Sequence, residues 1–148
     1  MKQTSENQCG ALLKQIHDMT EKHANNTLRG NDMTLSQLSV LIELTNAKDH
    51  TLALKSLEKQ LLIAQSTTFG LVSRLEQKGF VEVFGDENDR RIRLVRITEP
   101  GIACVDASLA KRNELDALLT SSLTAAEKDK FIQILIKVRD TLKQNQPD

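Results

Sequence analysis

The sequence GDENDRRIRLVR, Gly85 to Arg96, sets Asp89 directly before Arg90 and Arg91, with Arg93 close behind. A guanidinium is planar, permanently charged and rich in fixed donors, so it recognises phosphates and base edges rather than moving protons. Asp89, two residues before Arg91, can orient that guanidinium by a charge-assisted pair. The 148-residue chain has 20 Lys and Arg against 20 Asp and Glu, so it carries no general positive bias. The stretch from Arg90 to Arg96 nevertheless holds four arginines and no acid. Any anion recognition must therefore be local. The plainer alternative is a solvated hairpin in which Arg90 and Arg93 pair with Asp86 and Glu87, contributing little energy.

Other reactive types point to less. His17 and Glu21 lie one helical turn apart, but two ligands make no metal site, and a surface pair accounts for them. Cys9 and Cys104 are far apart and outside any metal-ligand spacing. Cys9, near the start of a helix, reads as a small hydrophobe or as a redox thiol. Cys104 reads as core or interface packing. No nucleophile–base arrangement, P-loop or glycine-rich phosphate motif is present, so the sequence supports no enzyme and no cofactor.

The elements that must position the arginines follow from periodicity. Aromatics are 3% of the chain, with no Trp or Tyr, so the core is built from Leu, Ile and Val. Leu12, Leu13, Ile16, Met19 and His23 recur at helical spacing, predicting a first helix that ends near Asn25 and Asn26. Thr34 and Gln37 form a capping box before a helix with Leu38, Leu41, Ile42 and Thr45 on one face. A short helix carries Leu54, Leu57 and Leu61, and a third runs through STTFGLVSRLEQK to Gly79, which suits a left-handed C′ position. Val81, Val83, Val95 and Ile97 alternate as in a half-buried hairpin. Thr98 caps a long helix, and Thr124 with Glu127 caps the last one, whose Phe131, Leu135, Val138 and Leu142 share a face.

This order predicts a mainly α protein: a winged helix-turn-helix with a two-stranded β wing, flanked by N- and C-terminal dimerisation helices. Residues 1–30 form the first of these, 31–101 the winged DNA-binding region and 102–148 the C-terminal helices, within one compact domain overall. The terminal apolar faces exceed what the small centre can cover, so a homodimer is expected. No apolar run approaches the ~20 residues of a membrane span. The N-terminus lacks the apolar stretch of a signal peptide, and the cytoplasm is the expected location.

The wing and its surroundings resemble the MarR family of bacterial transcription regulators. Asp89-Arg90-Arg91 followed by Ile97-Thr98-Glu99-Pro100-Gly101 is similar to the family's Asp-x-Arg, strand, Leu-Thr-x-x-Gly pattern, with Ile for Leu. Ser66-Thr67, Arg74-Leu75-Glu76 and Lys78-Gly79-Phe80 resemble its recognition helix and exit. The likeness is specific between Leu57 and Gly101 and rests on helix pattern elsewhere. Three residues depart from the family's habit: Gly70 where Arg is frequent, Glu58 where Ala is usual, and Phe69 where small polar residues are common. Gly70 costs roughly 1 kcal/mol of helix stability relative to Ala.

The resemblance implies a double-stranded DNA operator as partner, and a ligand-responsive repressor as function. With Thr67, Leu71 and Leu75 toward the core, helix geometry turns Gln65, Ser66, Phe69 and Ser73 outward, with Thr68 flanking them. Gln65 can pair with adenine, Ser66 can donate to a base or phosphate, and Phe69 can pack on a thymine methyl. Arg74 can reach a phosphate or pair within the protein. Arg91 is expected in an A·T-rich minor groove, with Asp89 as its organiser and Arg90 and Arg93 on phosphates. The resemblance also implies a small aromatic or phenolic effector, for which Leu12, Ile16, Met19, Leu41 and Val105 are candidate lining residues or plain core. Peroxide-sensing members of the family use an N-terminal cysteine together with tyrosines, and this chain has no tyrosine beside Cys9. The rival class is a winged-helix protein-interaction adaptor that binds no DNA.

Overall fold

The computed structural model describes residues 8–147; residues 1–7 and residue 148, which belong to the expected terminal segments, lie outside the described residues. Helix α1 spans Cys9–Leu28 and α2 spans Leu35–Asn46. Strand β1, Thr51–Ala53, leads directly into α3, Leu54–Leu61, and α4 follows at Gln65–Gln77. Strands β2, Val81–Gly85, and β3, Arg93–Ile97, precede α5, Glu99–Leu119, and α6, Ala125–Gln144. Helix α1 runs past Asn25 and Asn26 to Leu28, because Ala24 and Leu28 are buried and hold the last turn against the centre.

The expected two-stranded wing is present as β2 and β3, and β1 adds a third strand to the antiparallel sheet, in the order β1-β3-β2. Leu52 lies opposite Val95 on one side of β3, and Val83 lies opposite Val95 on the other. The central strand thus receives backbone partners on both edges, which fixes the base of the wing against the body. Beneath the sheet, Leu38, Leu41 and Leu44 of α2 join Leu57 of α3, Leu71 and Leu75 of α4, Val81, Val95, Ile97 and Val105 in one core.

Helix ends follow their capping residues. Thr34 Oγ1 accepts from the Gln37 N–H at 3.2 Å, and Gln37 Oε1 accepts from the Thr34 N–H at 3.3 Å. The exit of α4 is a Schellman motif: the Gly79 N–H donates to Glu76 O and the Phe80 N–H to Leu75 O, both at 3.0 Å, with Gly79 at φ 78°. Thr98 joins this exit to α5. Its hydroxyl donates to Gly79 O at 2.7 Å and accepts from the Gly101 N–H at 3.3 Å. Gly101 is buried there, and a Cβ at that position would overlap Phe80 O and lie 2.7 Å from Ile97 Cγ1.

The chain divides into two compact units, Met1–Asn113 and Glu114–Asp148. In the second, the Thr124–Glu127 capping box opens α6, and no residue of α6 is buried. Among the described residues, no helix is long and apolar enough to cross a membrane.

Candidate nucleic-acid interface

Helices α3 and α4 are joined through Leu62, in the left-handed region at φ 54°, whose N–H donates to Glu58 O. The turn delivers Gln65 to the first position of α4. Thr68, Leu71, Val72 and Leu75 form the buried stripe of that helix. This corrects the expected register. Thr68 is fully buried, its hydroxyl donating to Ala64 O at 3.2 Å, while Thr67 is exposed. A threonine tolerates this burial because its own helix satisfies the hydroxyl and its methyl packs as a hydrophobe. Thr68 is therefore withdrawn as a contact residue, and Thr67 takes the outward place.

Gln65, Ser66, Phe69 and Arg74 stand exposed, while Gly70 and Ser73 are half-buried. Phe69 is 62% exposed on a polar helix face, and none of the described residues buries it. Arg74 makes no side-chain hydrogen bond or ion pair among the described residues. A Cβ on Gly70 would meet nothing within 4 Å, so packing does not require glycine there.

The wing loop, 86–92, is built by acids turning back on the backbone. Asp86 Oδ1 accepts from the Asn88 N–H at 2.8 Å, and Asp89 Oδ1 accepts from the Arg91 N–H at 3.1 Å. The Arg91 guanidinium then returns to the same carboxylate, Nε to Oδ1 at 3.1 Å and Nη2 to Oδ2 at 3.2 Å. Both bonds hold the Asp89 carboxyl below its ordinary pKa of 3.8, the Arg91 side chain first and its backbone N–H second. The Arg91 side chain remains 91% exposed, so Asp89 aims it without hiding it.

The four arginines thereby divide. Arg91 is paired and projecting. Arg90 and Arg93 are exposed, and among the described residues neither pairs with Asp86 or Glu87. Arg96 stacks 4.5 Å over the Phe84 ring, with Nε donating to Thr51 Oγ1 at 3.4 Å, so it braces the sheet. A groove of about 510 Å³ connects the wing to the helices, lined by Lys55, Glu58, Gln65, Asp89, Arg91 and Arg93 among others. Lys55 was not singled out from the sequence. Its signal is a lysine in the first turn of the helix before the exposed one.

The expected effector residues divide between surface and core. Leu12, Ile16 and Met19 are exposed along α1, whereas Leu41 and Val105 are buried in the core. The apolar faces of α2 and α5 that carry those two residues are consumed by packing. A cavity of about 340 Å³ lies elsewhere, between His17 and Glu21 of α1, Leu35, Ser36 and Ser39 of α2, and Leu61, Ile63 and Leu71. His17 and Glu21 form an exposed pair at 3.6 Å, with Asp18 beside them on the same turn. Cys9 is exposed at the first residue of α1, and Cys104 is half-buried against the core.

The MarR family profile matches residues 33–92, which carry α2, α3, α4 and the wing loop. Over 130 residues the chain is 30% identical to the multiple antibiotic resistance protein MarR of Salmonella typhimurium, covering 87% of this chain and 89% of that one. Three other curated transcription regulators match over less of themselves, the chain covering 61%, 52% and 51% of their lengths. Among solved structures, Bordetella bronchiseptica BpsR, described with regulation of its DNA binding by 6-hydroxynicotinic acid, aligns with a TM-score of 0.85 at 25% identity, over 95% of this chain and 99% of that one. A mutant MarR of E. coli complexed with operator DNA aligns with a TM-score of 0.79 at 28% identity, over 87% and 91%.

Proposed function

Because the chain belongs to the MarR family, whose members here are transcription regulators and not enzymes, we propose that it binds operator DNA sequence-specifically as a homodimer in the cytoplasm and represses transcription. The observation that carries this reading is the Asp89–Arg91 pair: a guanidinium aimed by two hydrogen bonds, yet 91% exposed at the end of a braced wing. A solvated hairpin has no need of such aiming.

In this reading α4 enters the major groove with Gln65, Ser66, Thr67 and Phe69 toward base edges. Arg91 enters the adjacent minor groove, where A·T-rich sequence narrows the groove and deepens its negative potential. Ser73, Arg74, Arg90 and Arg93 meet sugar and phosphate, which fix register without reading sequence. Asp89 keeps its carboxylate on Arg91 and so shields DNA from it. The region 31–101 does the reading, while 1–30 and 102–148 hold two copies together through apolar faces that remain uncovered in one chain, such as Leu12, Ile16 and Met19 on α1. An aromatic or phenolic effector fits the cavity near His17, Ser36 and Ser39, whose walls combine an apolar body with hydroxyl and imidazole partners. Its occupancy would favour a dimer whose recognition helices are wrongly spaced for successive major grooves.

The test is a salt titration of binding to the DNA upstream of the protein's own gene, for wild type and Arg91→Ala. Loss of the contact costs on the order of 1–3 kcal/mol per site, and the slope of log affinity against log salt becomes shallower. The melting temperature stays where it is, since Arg91 is almost fully in water. Equal binding of the two proteins across the titration excludes the wing as a DNA probe and puts the adaptor reading ahead.

A further inference from the structure

The groove between the helices and the wing contains an acid that the DNA-binding scheme does not use. Glu58 projects from α3, and its Oε1 is buried with no hydrogen-bond partner. A buried carboxylate oxygen without a donor is costly, so this one calls for an explanation. Three cations, Lys55, Arg91 and Arg93, line the same groove, yet none forms an ion pair with Glu58 among the described residues. Arg91 is already held by Asp89. The groove opens between the start of α4 and the wing loop. In the DNA-binding reading, with α4 in one groove and the wing in the next, the phosphodiester strand between the two would cross this opening.

We propose that Glu58 is an affinity-limiting residue, a fixed negative charge beneath the crossing DNA strand that opposes the phosphates the surrounding cations attract. The proposal rests on the DNA-binding reading above. Its logic is charge placement. Lys55, Arg91 and Arg93 alone would hold any duplex through sequence-independent attraction. An acid on the floor of the same groove subtracts from that attraction for every sequence. The balance then depends more on base-edge contacts from α4. The repulsion acts at a protein surface, where charges interact more strongly than in bulk water.

The test compares wild type, Glu58→Gln, Glu58→Asp and Glu58→Ala for binding to the upstream DNA and to a shuffled duplex. Glu58→Gln keeps the shape and removes the charge, and is expected to bind both duplexes about tenfold more tightly at low salt. That gain should shrink as salt screens the groove. Glu58→Asp should bind like wild type, because it keeps the charge, and Glu58→Ala should follow Glu58→Gln. Weaker or unchanged binding by folded Glu58→Gln and Glu58→Ala overturns the proposal and makes Glu58 a structural or attractive group. Should wild type and all variants fail to bind any duplex, it is the DNA-binding reading itself that has failed, and the proposal falls with it.

Discussion

Helices α4 and α6 are stabilised in opposite ways. Helix α4 begins after Ala64, which offers no side-chain cap, and is held by its flank: Thr68, Leu71, Val72 and Leu75 are all buried. Helix α6 starts with a complete capping box, and none of its 20 residues is buried, although Ile132, Ile134, Leu135, Ile136, Val138 and Leu142 stand along it. One helix is finished by its own chain, which leaves its other face polar and available. The other is finished only at its end. A strip of this apolar content left in water marks an interface, and in the proposed reading a second copy supplies the cover. In the proposed reading the contrast separates two jobs: reading falls to a surface the monomer completes, and assembly to surfaces it leaves open.

The largest test of that contrast removes residues 124–148. The expected product is an insoluble or unfolded chain, because the assembly surface is lost and apolar faces elsewhere stay uncovered. A well-folded soluble monomer, by sedimentation and circular dichroism, would break the division. Next in size is Leu75→Ala, which opens a cavity in the completed core and should cost about 2–5 kcal/mol. Its loss in thermal unfolding should be similar at all protein concentrations, whereas a change at Leu135 should have an effect that grows on dilution, as mass action requires of an interface.

The smallest effect lies at the helix end. The Thr124 backbone N–H first, and its hydroxyl second, hold the Glu127 carboxyl below its ordinary value of 4.5. A depressed folded-state pKa stabilises at pH above the unfolded value, and that contribution is lost as pH falls through the lower folded value. Thermal melts of wild type and Glu127→Gln from about pH 6 to about pH 3 should therefore converge toward the acid end. A difference that persists or widens in acid would mean that the charge of Glu127 is not what fixes the cap.

The parts of this architecture legible in the sequence are those set by local chemistry. Both capping boxes, the left-handed Gly79 and the Thr98 cap depend on residues a few positions apart, and the structure contains each of them. The alternation of Val81, Val83, Val95 and Ile97 marked the hairpin for the same reason. Strand β1 escaped because three residues running straight into a helix carry no period, and only pairing with β3 makes Thr51–Ala53 a strand. The register of α4 slipped by one residue at its start because two adjacent threonines are equivalent by type, and tertiary packing alone selects Thr68 for the core. Leu41 and Val105 were ambiguous between pocket and core because an apolar side chain serves either, and only the enclosing neighbours decide. For the wing, Asp89 and Arg91 were visible as a pair from spacing, while the stacking of Arg96 on Phe84 needed the sheet to bring them within 4.5 Å.

The junction at Gly101 has a mechanical meaning. At this point the exit of α4, the last residue of β3 and the first turn of α5 converge, with Thr98 bonded to the first and to Gly101, and no room for a side chain between Phe80 O and Ile97. A joint packed this closely has no play. Any movement of the first turn of α5 therefore bears on the exit of α4 and on the base of the wing alike. The helix and the base of the wing thus share one root, like two prongs of a fork on a single handle. In the proposed dimer, the direction in which α5 leaves this junction would bear on how far apart the prongs of two copies stand.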